Sequence, residues 1–155
     1  MSLAELNQRE SATGRMLKED GSVINRADLL EQINNGVALV AEAKYATKTA
    51  TILNGASQSG AIDLEGYQLA GLNMPAAWTA AAITYLASPT LDGTYLPVYE
   101  SGIEVTDPVA ANQYVAIAAN AVALASIRFL KLRSGNSATP VAQGADRTIT
   151  LSLKR

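Results

Sequence analysis

The chain has 155 residues, of which 48% are hydrophobic and 17% charged, with 12 basic side chains against 14 acidic. That length suits one domain, and a chain of this size buries about two thirds of its unfolded surface. The near-neutral balance excludes a protein built to coat nucleic acid; the lack of Cys excludes disulfides and thiolate chemistry, and the lack of His removes the commonest proton carrier and metal ligand.

The first residues, MSLAELNQRES, are polar and carry no apolar core of a secretion signal. The longest weakly polar stretch, Val115 to Leu124, has 10 residues, whereas a membrane-spanning helix needs about 20. The expectation is a protein made in a cytoplasm, with no membrane and no nucleic acid among its partners.

Residues 1–44 hold 5 basic and 7 acidic groups and read as an N-terminal arm for assembly contacts. In RMLKEDGSVIN, Asp20-Gly21 suits a two-residue hairpin turn between Arg15–Glu19 and Ser22–Ile24. NRADLLEQINNG reads as a short helix: Asn25 caps it, Asp28 suits its positive end, and Asn34-Asn35-Gly36 ends it. Both pieces are marginal alone in water. The arm is therefore expected to order against a surface through Leu3, Leu6, Met16, Leu17, Val23, Ile24, Leu29, Leu30 and Ile33.

Residues 45–155 read as a β-rich body. From Tyr45 to Ile127, Lys48 faces six acidic residues; from Arg128 onward six basic residues face Asp146. Candidate strands are Lys48–Asn54, Ala61–Asp63, Gly66–Ala70, Ala80–Ala87, Leu96–Tyr99, Ile103–Thr106, Tyr114–Ala118, Ile127–Leu132 and Arg147–Leu153, separated by turn dipeptides such as Asn54-Gly55, Asp92-Gly93 and Ser101-Gly102. In RTITLSLKR, Ile149, Leu151 and Leu153 alternate with polar residues. In IRFLKLR neither face is purely polar, which points to a strand covered on both sides or meeting a partner. AIAANAVALAS is open between strand, short helix and irregular crossover. The fold class expected is all-β, a jelly-roll β-sandwich behind an arm of hairpin plus short helix.

Chemistry is poorly supported. No His activates a serine, no segment has a phosphate-binding loop pattern, and Asp92 and Asp107 sit at turns where Asp bonds its own backbone. Asp63 and Glu65 with Asp92 or Glu104 offer oxygen ligands, without the spacing of a calcium loop. No enzyme, catalytic residue, metal or cofactor is expected. A glycan platform on Trp78, Tyr95 and Tyr99 is weighed against core packing, which suits Trp78 better. Cross-strand packing also accounts for Tyr85, Tyr95 and Tyr99. The basic end and the acidic middle are expected to neutralise each other, within one body or between subunits.

The order PAAWTAAAITYLASPTLDGTYLPVYESGIEV, then ASIRFLKLRSG, then TPVAQGADRTITLSLK resembles the jelly-roll domain of structural proteins of tailed bacteriophages. The resemblance spans about residues 50–155 and involves Pro75, Trp78, Thr79, Ile83, Asp92, Gly93, Arg128–Gly135 and Arg147–Leu153. More loosely, GRMLKEDGSVINRADLL resembles leading segments of capsid-decorating or fibre-like proteins. The resemblance implies a virion protein: a capsid decoration (cement) protein, commonly a homotrimer, contacting the major capsid protein or another virion protein. A tail or fibre component, or a glycan-binding adhesion module, is the alternative.

Overall fold

The computed structural model describes residues 44–155; the expected hairpin, short helix and apolar contacts of the arm lie outside the described residues. Eleven strands and one helical turn follow in order: β1 (Tyr45–Ile52), β2 (Ile62–Asp63), β3 (Gln68–Asn73), β4 (Ile83–Ser88), β5 (Leu96–Pro97), β6 (Tyr99–Glu100), β7 (Ile103–Glu104), β8 (Thr106–Asp107), β9 (Tyr114–Ala116), α1 (Ala121–Leu124), β10 (Phe129–Ser134) and β11 (Arg147–Lys154). The described body is all-β, as its alternating patterns require.

Two antiparallel sheets form a sandwich-like arrangement. One has the order β1-β11-β3-β9, the other β2-β10-β4-β5, with β8 also on β4. The chain alternates between them: β1, β3, β9 and β11 belong to the first, and β2, β4, β5, β8 and β10 to the second. Inward positions of both supply the core. Ala50, Ile52, Leu69, Leu72, Ile149, Leu151 and Leu153 come from one sheet, and Ile62, Ile83, Tyr85, Leu130 and Leu132 from the other. Burying each such large side chain contributes about 1.5–3 kcal/mol. Helix α1 settles the Ala-rich segment as a single turn that buries Leu124.

The pairing of β1 with β11 runs over the full eight residues, from Tyr45↔Lys154 to Ile52↔Arg147. Beyond it, Arg155 N–H donates to the Lys44 carbonyl at 3.0 Å. The start and the end of the described chain therefore lie at one pole. At the opposite pole Gln143 binds four neighbours. Its side chain accepts from Thr79 N–H (2.9 Å) and donates to the Thr79 carbonyl (3.1 Å) and Ser134 Oγ (2.8 Å). Its own N–H and carbonyl hold Ala56 and Gly55. Every group of this buried amide that can be reached is paired, as a buried polar side chain requires.

Several expected strand limits shift, each for a local reason. The strand expected at Gly66–Ala70 runs instead from Gln68 to Asn73, because Glu65 and Gly66 both take positive φ (53° and 79°) in a turn closed by Tyr67 N–H to the Leu64 carbonyl. Expected Ala80–Ala87 begins only at Ile83. Trp78 Nε1–H donates to the Ala81 carbonyl at 2.9 Å, and the run of alanines has little preference for a strand. Leu96–Tyr99 and Ile103–Thr106 each break in the middle, at Val98 and Val105. Val98 N–H goes to Tyr85 of β4, while Val105 N–H goes to Val98, so the chain leaves the sheet and folds into the separate β6–β7 hairpin. Its turn is Ser101-Gly102, both at positive φ. Ile127–Leu132 moves to Phe129–Ser134, and Lys48–Asn54 starts earlier, at Tyr45.

Candidate functional site

The β6–β7 hairpin lies against the outer side of the five-stranded sheet. On β10, Leu130, Leu132 and Ser134 face inward, so Phe129, Lys131 and Arg133 face out. Yet Arg133 is buried, and so is its cross-strand partner Thr84. A guanidinium cannot lose water without partners. Arg133 Nε donates to Thr84 Oγ1 at 3.1 Å, and its Nη2 donates to Glu104 on β7. Glu104 also accepts from the N–H and hydroxyl of Ser137 (3.0 and 2.8 Å), and the Tyr99 and Ser137 hydroxyls are 3.2 Å apart. Burial alone would raise the Glu104 pKa, but the Ser137 bonds together with Arg133 outweigh it and hold the carboxyl below its ordinary value.

Next to this latch, β8 contributes Asp107, whose Oδ2 accepts the Tyr85 hydroxyl at 2.6 Å in the interior. The expectation that Asp107 satisfies its own turn is thus corrected: it serves a buried tyrosine on β4. Burial first, then the Asp107 charge and hydrogen bond, push the Tyr85 phenol well above its usual range.

A groove of about 420 Å³ runs along β7, lined by Glu100, Ser101, Ile103, Glu104, Val105, Thr106 and Asn120. Its two carboxylates differ in kind: Glu104 is consumed by Arg133 and Ser137, while Glu100 is exposed. Asn120 Nδ2 donates to the Thr106 carbonyl, and Thr106 Oγ1 donates to the Glu104 carbonyl. The groove is held together by its own polar groups and offers no acid/base pair.

Of the residues weighed for calcium, Asp63, Glu65 and Glu104 are engaged elsewhere, and Asp92 is exposed. Asp63 takes a two-bond contact from Arg128 (3.1 and 3.0 Å), and Glu65 takes Lys48 at 2.7 Å. The Arg128 hydrogen bonds lead the causes that lower the Asp63 pKa. Among the described residues no group of three potential ligands is close enough to hold a metal ion. These same pairs join the basic end to the acidic middle inside one body: Arg128 with Asp63, and Arg133 with Glu104.

The three rings considered as a glycan platform have no partner in common. Trp78 is half-buried against the core with its N–H satisfied by Ala81. Tyr95 lies under the Lys131 ammonium, 4.5 Å from the ring centre, and donates to the Leu91 carbonyl. Tyr99 is exposed and tied to Ser137.

The outer face of the four-stranded sheet is built differently. Alternation brings Thr47, Thr49 and Thr51 of β1 beside Ser152, Thr150 and Thr148 of β11, then Gly71 and Asn73 of β3, then Ala116 and Tyr114 of β9. The Thr51 and Thr148 hydroxyls are 2.9 Å apart. Tyr114 is 60% exposed, and its ring lies over Gly71, where a Cβ would collide with it. The polar alternation was legible in RTITLSL, but the part played by Gly71 was not.

No protein-family model, no curated protein and no solved structure matches this chain.

Proposed function

We propose that this chain is a structural protein of a tailed-bacteriophage virion, a capsid decoration protein with a body of jelly-roll type. The observation that carries the reading is the common pole. Lys44 and Arg155 are hydrogen-bonded to each other, so the 43 residues before Lys44 join the body at one end. An arm attached there can hold a particle surface while the opposite pole and both sheet faces stay clear of it. The body itself supports a role by contact rather than by reaction: its buried Asp107 and partly buried Glu104 are spent on Tyr85 and Arg133. The segments that carry the phage resemblance include β4, β10 and β11, which are interior strands of the two sheets. Partners in this reading are two further copies of the chain and the major capsid protein.

Deleting residues 1–44 tests it. The truncated protein is expected to keep its β-rich fold and to lose particle occupancy; normal decoration by the truncated protein overturns the arm's role. Light-scattering mass together with copy number separates the variants of the reading: a trimer in hundreds of copies belongs on a capsid, and a few copies belong to a tail or fibre.

A further inference from the structure

We propose that the outer face of the four-stranded sheet binds a neutral oligosaccharide, with Tyr114 as its stacking platform and the threonine field as its hydrogen-bonding floor. Three observations carry this, and none depends on the virion reading. First, the face is almost free of charge: along β1, β11, β3 and β9 only Lys154, at one rim, brings a charged group to it. A charged ligand gains nothing there, and a neutral one loses nothing.

Second, the hydroxyls of Thr47, Thr49, Thr150 and Ser152 and the amide of Asn73 make no hydrogen bond to another described residue, although Thr51 and Thr148 satisfy each other. Each hydroxyl both donates and accepts, so it can match sugar hydroxyls in either role. Third, Gly71 leaves room for the phenol end of Tyr114 to come down onto the sheet, while most of the residue stays open to solvent. The electron-rich face of an aromatic ring attracts the weakly positive C–H groups of a pyranose.

The layout also sets the length of the ligand. Tyr114 is in register with Asn73, Thr150 and Thr49, and exposed Tyr45 lies four residues before Thr49 on the far strand. Three strand spacings and four residues of rise put the α-carbons of the two tyrosines about 20 Å apart on a diagonal of the face. A short linear glycan, not a single sugar, spans that distance.

The test titrates the full-length protein with maltotetraose, cellotetraose and chitotetraose, followed by amide shifts in NMR. At least one is expected to perturb residues 49, 73, 114 and 150 saturably, with little dependence on salt. Tyr114→Ala should weaken binding about tenfold or more, equal to about 1.4 kcal/mol, and Gly71→Ala, which keeps the tyrosine but lifts its ring, should weaken it with the melting curve intact. Tyr99→Ala should leave it unchanged. The proposal is overturned if no tetrasaccharide shifts these residues at millimolar concentration, or if Tyr99→Ala abolishes the shifts. It is equally overturned if Thr150→Lys lowers the solution mass to that of a smaller assembly, because the face is then an interface between copies.

Discussion

On the five-stranded sheet, the outward side chains of β4 and β10 include a buried arginine and a buried threonine, and the chain returns as β6–β7 to cover them. On the four-stranded sheet, the outward positions hold hydroxyls and small residues, and none of the described elements covers them. The difference shows two ways of finishing a sheet face. A strong donor such as guanidinium must be given partners once it is shut away from water, so it draws a roof, a carboxylate and a serine after it. A threonine is content with water, keeps the strand preference of a β-branched residue, and leaves the face free for another molecule.

Breaking the roof should cost the most. Arg133→Met leaves Glu104 partly buried without its cation, and a loss of about 3 kcal/mol in urea unfolding is expected. Little change in the midpoint would mean that the hairpin is not latched to the sheet. Tyr85→Phe removes the hydroxyl that serves Asp107 inside the body, and about 1–3 kcal/mol should be lost.

Acid offers a third way in. Because the folded pKa of Glu104 lies below its ordinary value of 4.5, the stability it adds is complete above that pH and disappears as pH falls through the folded value. The stability gap between wild type and Glu104→Gln is therefore expected to be constant from neutral pH down to about 5 and to shrink below 4.5. A gap that widened in acid would contradict the assigned direction. On the bare face, Thr49→Val and Thr150→Val should each change stability by no more than about 0.5 kcal/mol. A much larger loss would show that this face is not simply wet.

The sequence exposed the bare face more readily than the roofed one. Clean alternation in RTITLSLKR fixes which side of β11 meets the core, since a slip of one residue would bury Thr148, Thr150 and Ser152. IRFLKLR left open whether the second side of β10 is covered within the chain or meets a partner, and could not name the cover: Glu104 lies 29 positions away from Arg133. Turn limits were readable where a glycine follows Asn, Asp or Ser. They were missed at Glu65-Gly66, where a glutamate takes a left-handed conformation that its side chain gives no local reason to adopt. Gln143 and Gly71 were invisible for a related cause, because each acts on residues brought close only by the finished sheets.

Among the described residues, the edges of the two sheets add a further contrast. β2 and β5 have two residues each and β9 has three, whereas β1 has eight. An edge of that length invites pairing with foreign strands. Lys48 lies on the inward side of β1, between Ala46 and Ala50, and reaches Glu65. A lysine turned inward makes any stacked continuation of the sheet bury its ammonium, which guards the edge without shortening it.

The zipper between Tyr45–Ile52 and Arg147–Lys154 also governs when the body is born. During synthesis β1 leaves the ribosome long before its partner does, and about a hundred residues must wait, with their apolar stripes uncovered, for the final strand to emerge. Folding is then expected on the slow, millisecond-to-second scale of sheets joined across long chain separations. A stop codon placed just before Arg147 would yield a nascent chain that never closes, food for proteases rather than a smaller version of the protein.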